Sequence, residues 1–85
     1  MEQQPTIEEA RIKFPIGTIF SNKNLGLCCD NIEVIGTHFY TNADGSILIN
    51  KDSNRSKGYS HGAYTVYKKG KWAEITNVEP QYEIY

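Results

Sequence analysis

Metal and nucleophilic chemistry favour cysteine and histidine, and this 85-residue chain holds two of each. A structural zinc site takes four ligands, commonly as closely spaced Cys and His pairs. Cys28 and Cys29 are adjacent, so on a strand they point to opposite faces, and His38 and His61 are far apart. The spacing predicts no metal and no cofactor. A bond between neighbouring cysteines is strained and closes almost no loop. Two free thiols in a reducing compartment are therefore expected, one packed in the core and one outward. Cys29, His38 and Asp44 could be drawn together as nucleophile, base and orienting acid. No nucleophile elbow or cysteine-protease context surrounds them. The seven glycines are scattered and form no phosphate-binding fingerprint. The residues read as those of a non-enzyme.

Charge carries more information. The formal net charge is −1, which exerts no global pull toward nucleic acid or an anionic membrane. Its distribution is uneven. Lys51, Arg55, Lys57, Lys68, Lys69 and Lys71 face Asp52 alone within residues 51–71. Tyr59, His61, Tyr64, Tyr67 and Trp72 are interleaved with them. Basic side chains can track a phosphate backbone while aromatics stack on bases, and the same pattern can meet an acidic protein surface. Solubility alone would also account for lysines on a small hairpin, with Tyr64 and Trp72 in the core. Lys51, Arg55, Lys57, Tyr59, His61, Tyr64, Lys68, Lys69 and Lys71 are the candidate binding residues. The remaining chain is acidic, with Glu2, Glu8, Glu9, Glu79 and Glu83 near the termini.

The elements that must position these residues are mostly β. Thr6 and Glu9 have capping-box spacing, which opens a short helix that Pro15 ends. Gly17–Phe20 reads as a strand, Ser21–Gly26 as a loop, and Leu27–Cys29 as a short strand. Residues 32–41 form the longest strand candidate, with its apolar alternation slipping at Gly36, the mark of a bulge or bend. Asp44-Gly45 gives a tight hairpin turn into Ser46–Asn50. Residues 51–62 lack Val, Ile and Leu and read as a long exposed loop. Ala63–Tyr67 and Lys71–Thr76 pair across a Lys68-Lys69-Gly70 turn. The expected core is Phe14, Ile16, Ile19, Phe20, Leu27, Ile32, Val34, Phe39, Ile47, Ile49, Val66, Trp72, Ala73 and Ile75.

About five short strands in so short a chain predict a mainly β fold. The expectation is a small antiparallel five-stranded barrel or strongly bent sheet, SH3-like or OB-like, with a short N-terminal helical turn. Residues 1–13 are the tail and helix, 14–77 the single β domain, and 78–85 a C-terminal tail or edge strand. The length excludes TIM-barrel and dinucleotide-binding enzymes. No apolar run approaches the ~20 residues that span a membrane, and the acidic N-terminus is unlike a signal peptide. A cytoplasmic or virion-associated protein is expected.

Two patterns carry a resemblance. Phe14-Pro15-Ile16-Gly17-Thr18 opens the first strand, and Gly70-Lys71-Trp72-Ala73-Glu74-Ile75 closes the last hairpin after Tyr67. Together they resemble small uncharacterised β domains encoded by phages and mobile elements of Bacteroidetes-type bacteria. The resemblance implies a phage or prophage origin and a small β module, with no catalytic residues to transfer. Phages carry many short chains that bind and disable host factors, CRISPR and other defence nucleases among them. The leading expectation is such an inhibitor, whose partner is a host protein or ribonucleoprotein. The alternatives are a nucleic-acid-binding module using residues 51–71 and a minor virion component assembling by strand pairing.

Overall fold

The computed structural model describes residues 4–27, 29–56 and 62–76. The chain opens with helix α1 (Ile7–Lys13). The Thr6 hydroxyl accepts the Glu9 backbone N–H at 3.2 Å, and Glu8 and Glu9 lie in the first turn, where the helix dipole favours acids. The Phe14 N–H closes the last turn on the Ala10 carbonyl at 2.8 Å. Ala10 and Phe14 are fully buried, and Phe14 meets Phe20 edge-on at 5.2 Å. The helix is therefore a wall of the same core as the strands.

Among the described residues eight short strands follow: β1 (Ile19–Ser21), β2 (Ile32–Val34), β3 (Phe39–Thr41), β4 (Ile47–Ile49), β5 (Asn54–Ser56), β6 (Tyr64–Lys68), β7 (Lys71–Trp72) and β8 (Glu74–Ile75). They form two four-stranded sheets, ordered β5-β2-β1-β8 and β3-β4-β6-β7, and every pairing is antiparallel. The chain passes between the sheets after β2, after β4, after β5 and at Ala73. Of the five strands read from the sequence, 32–41 and 71–76 each break into a pair, and β4 runs on through a turn into β5, which lies in the expected loop.

The first break is the bulge expected at Gly36. The N–H groups of Ile35 and Gly36 both reach the Ser53 carbonyl, at 2.8 and 3.1 Å. Two residues thus oppose one, which bends a strand. The second break is a 3-10 turn at Lys51–Ser53. A further register shift lies between Ile47 and Leu48, whose partners are Tyr67 and Thr65, leaving Val66 as the extra residue.

The expected loop over 51–62 is corrected for its first half. Residues 51–56 form a 3-10 turn and a strand, and Ser53, Asn54 and Ser56 are buried. Polar side chains can line a core where their partners are supplied. Asn54 Nδ2 donates to the carbonyls of Asn50 at 2.9 Å and Gly62 at 3.0 Å. Ser53 Oγ accepts the His38 N–H at 2.9 Å.

Nine of the expected core residues are buried, led by Phe14, Phe20, Ile32, Val34, Ile47, Ile49 and Val66. Ala10 and Cys29 join them. Ile16 is 64% exposed because it sits in the turn closed by the Thr18 N–H on the Pro15 carbonyl, with Gly17 at φ +100°. Ile75 is 42% exposed on the short edge strand β8. Ile19, Leu27 and Trp72 are half-buried. Leu27 and Cys29 form no strand. The Cys29 sulfur is disulfide-bonded, which corrects the expectation of free thiols. Cys28 and residues 78–85 lie outside the described residues. Among those described, no helix is long and apolar enough to cross a membrane.

Candidate functional site

The hairpin joining β6 and β7 turns on two residues. Lys69 has φ 48° and Gly70 φ 80°, the paired left-handed conformations of a type I′ turn. Glycine adopts this freely, whereas a lysine there carries a Cβ penalty. The turn brings Lys68 directly opposite Lys71. Facing the hairpin is a second turn, the 3-10 segment Lys23–Leu25, ended by Gly26 at φ 84°. Asn24 ties the two together: its Nδ2 donates to the Trp72 carbonyl at 3.0 Å and its Oδ1 accepts the Glu74 N–H at 3.2 Å. Between the turns lies a groove of about 340 Å³ lined by Asn24, Leu25, Lys68, Lys69 and Lys71.

The groove is positively charged. Among the described residues no carboxylate forms an ion pair with Lys68, Lys69 or Lys71. Lys71 Nζ approaches the Asn24 carbonyl at 3.5 Å. Lys23 is paired with Asp30 at 3.3 Å, and Lys13 Nζ lies 5.4 Å from the centroid of the Trp72 ring. Asp44, at the tip of the β3–β4 hairpin, is held below its ordinary value of 3.8. The causes are the Ser46 hydroxyl first, then the Ser46 backbone N–H, with a smaller contribution from Lys68.

The other candidate residues sit elsewhere. Lys51 is exposed at the start of the second 3-10 turn. Arg55, on β5, pairs across the sheet with Glu33 at 3.1 Å. Tyr64 is half-buried against the core, its hydroxyl 3.0 Å from Ser56 Oγ. Lys57, Tyr59 and His61 lie outside the described residues. Tyr64 pairs with Ile49, and Lys68 lies four residues further along the same strand, about 13 Å away at the usual rise per residue. The structure therefore divides the basic stretch into two groups. One is Lys68, Lys69 and Lys71 with Asn24; the other is Lys51, Arg55 and Tyr64. No family model, curated protein or solved structure matches the chain.

Cys29, His38 and Asp44 make separate contacts: Cys29 is disulfide-bonded, Asp44 accepts from Ser46, and His38 Nδ1 lies 3.3 Å from Asp52. Ser53 completes a Ser-His-Asp set by residue type. Its Oγ donates to Asp52 at 3.2 Å and accepts the His38 backbone N–H, so the imidazole does not activate it. Among the described residues no three His, Cys, Asp or Glu side chains cluster as metal ligands. Asn24 and Leu25 were missed by the sequence reading. The only signal was the pair of Asn residues flanking Lys23, just before a turn glycine.

Proposed function

We propose that the chain is a small non-enzymatic interaction protein of the phage type, which binds and disables a host factor such as a CRISPR or other defence nuclease in the host cytoplasm. The observation that carries this reading is the β6–β7 hairpin. Three lysines stand on a tight turn, without ion-pair partners among the described residues, against a wall pinned by Asn24. A rigid charged face of this kind suits recognition, because little ordering entropy remains to be lost on binding. Arg55 and Tyr64 supply a second contact region at the far end of β6.

The finer fold assignment belongs to the same proposal. Residues 32–41, 47–56 and 71–75 can each be taken as one bent strand. With β1 and β6 they pair in sequence order, and the last returns to the first through β8 and β1. That unbroken meander supports a small SH3-like barrel over a Greek-key OB-like one.

A second reading, a nucleic-acid-binding module, is favoured by the clustering of lysine ammonium groups around the groove. The test of the first is functional. Expression in a bacterial strain whose nuclease-based defence blocks a phage should restore plaque formation. The Lys68→Ala/Lys69→Ala/Lys71→Ala variant should lose that effect while remaining folded. Failure to restore plaques in any nuclease-defended strain removes the inhibitor reading. Retention of the effect by the triple variant moves the face to Arg55 and Tyr64.

A further inference from the structure

We infer that the groove between the β6–β7 turn and the Lys23–Leu25 turn binds the phosphate backbone of a single-stranded nucleic acid, through charge and without base stacking. The inference rests on the proposed function only in taking the lysine hairpin as the working face. Three observations lead to it.

First, the hairpin is built at a cost to folding. Lys68 and Lys71 are like charges directly opposite one another, an unfavourable cross-strand pair. Lys69 occupies a left-handed position that Asn would fill with less strain. An anion in the groove relieves the repulsion. Lys68 also feels Asp44, but that carboxylate is already bonded by the hydroxyl and N–H of Ser46, at 2.7 and 3.0 Å.

Second, the groove senses charge and little else. Lysine is a point charge rather than a bidentate fork. The amide of Asn24, the one uncharged polar side chain among the described lining residues, is spent on Trp72 and Glu74. A site of this kind holds a single phosphate weakly and gains from a ligand that repeats the charge, as a nucleic-acid strand does.

Third, the neighbouring aromatics are engaged. Trp72 packs on Tyr67 at 4.8 Å and Phe14 at 5.9 Å, with Lys13 over its ring. Tyr64 packs against the core with its hydroxyl at Ser56. Among the described residues these rings are packed on one another, on the core and under Lys13, which leaves the backbone as the recognised part.

The test uses the full chain and a labelled oligothymidylate of about 12 nucleotides, read by fluorescence anisotropy across a salt series. Three lysine contacts predict a log–log salt slope of about −2, at about 0.7 per phosphate on a single strand. Lys69→Asn and Lys71→Ala should each weaken binding severalfold and each flatten the slope by about 0.7. Lys69→Asn should at the same time raise the thermal midpoint, a combination that a purely structural lysine would not give. Oligoadenylate should bind within about twofold of oligothymidylate, since bases are not read. Several results overturn the inference: no oligonucleotide binding at low salt, a strong base preference, unchanged binding by both variants, or equally tight binding of labelled polyglutamate. If no oligonucleotide binds yet the triple lysine variant still loses the anti-defence effect, the groove inference falls and the proposed function stands.

Discussion

Trp72 meets three partners at once, Phe14 and Tyr67 on its ring and Lys13 above it. It is only half-buried, yet it joins the helix to the last hairpin. Trp72→Ala should therefore destabilise the protein by about 3 kcal/mol, the low end for removing a packed aromatic. A denaturant midpoint close to that of the native chain would show that Lys13 and Tyr67 close over the gap. The buried polar residues make the complementary point. Asn22 is as buried as the aliphatic core because its Oδ1 accepts the Cys29 N–H at 3.1 Å and its own N–H reaches the Cys29 carbonyl at 3.0 Å. Removal of such a side chain would leave buried groups unsatisfied, which costs more than the hydrogen bond itself contributes.

Two short segments decide how the strands run. At the bulge, a Cβ on Gly36 would stand 2.6 Å from Ser53 Oγ and 3.2 Å from Ser53 Cα. Ser53 Oγ is already bonded to His38 and Asp52, so it cannot swing aside without loss. Gly36→Ala should cost about 1–3 kcal/mol, the usual scale of overpacking, and chemical denaturation would measure it. A variant as stable as the native chain would show that the bend tolerates a wider spacing. At the β3–β4 hairpin, Gly45 takes φ +91° and its N–H closes the turn on the Asn42 carbonyl at 2.9 Å. Asp44 accepts both donors of Ser46, which lowers its pKa below 3.8. A carboxyl whose folded pKa is lowered stabilises the fold above its unfolded value. That contribution is lost as pH falls below about 4 and through the folded value. The native chain should thus lose more thermal stability between about pH 5 and about pH 3 than Asp44→Asn does. Parallel pH profiles would remove the turn carboxylate from the account.

On the scale of the whole molecule, the two sheets share their strands. The chain crosses between them four times, and Phe14, Phe20, Ile32, Ile47 and Val66 fill one core between them and α1. Neither sheet can open while the other keeps its register. Unfolding should be a single cooperative transition, with Trp72 fluorescence and far-ultraviolet circular dichroism coinciding in urea at a slope of about 1 kcal/mol/M. Separate midpoints for the two probes would mean that the β7 end opens on its own.

The sequence by itself determined the elements whose cause is local. Thr6 and Glu9 announced the helix, Pro15 its end, Asp44-Gly45 and Lys69-Gly70 the turns, and Gly36 the bulge. Each rests on backbone preference or on hydrogen bonds within a few residues, and so is written in neighbouring side chains. The alternating aliphatics likewise marked most of the core. Only the tertiary structure decided that Asn54–Ser56 is a strand, since its polar residues find partners as distant as Glu33 and Gly62. It alone divided the basic stretch, because Tyr64 and Lys68 stand at opposite ends of one strand. It alone set Asn24 against Lys68, Lys69 and Lys71, more than forty residues away along the chain. Such a contact depends on which strands pair, and pairing is fixed by the shared core rather than by any local pattern.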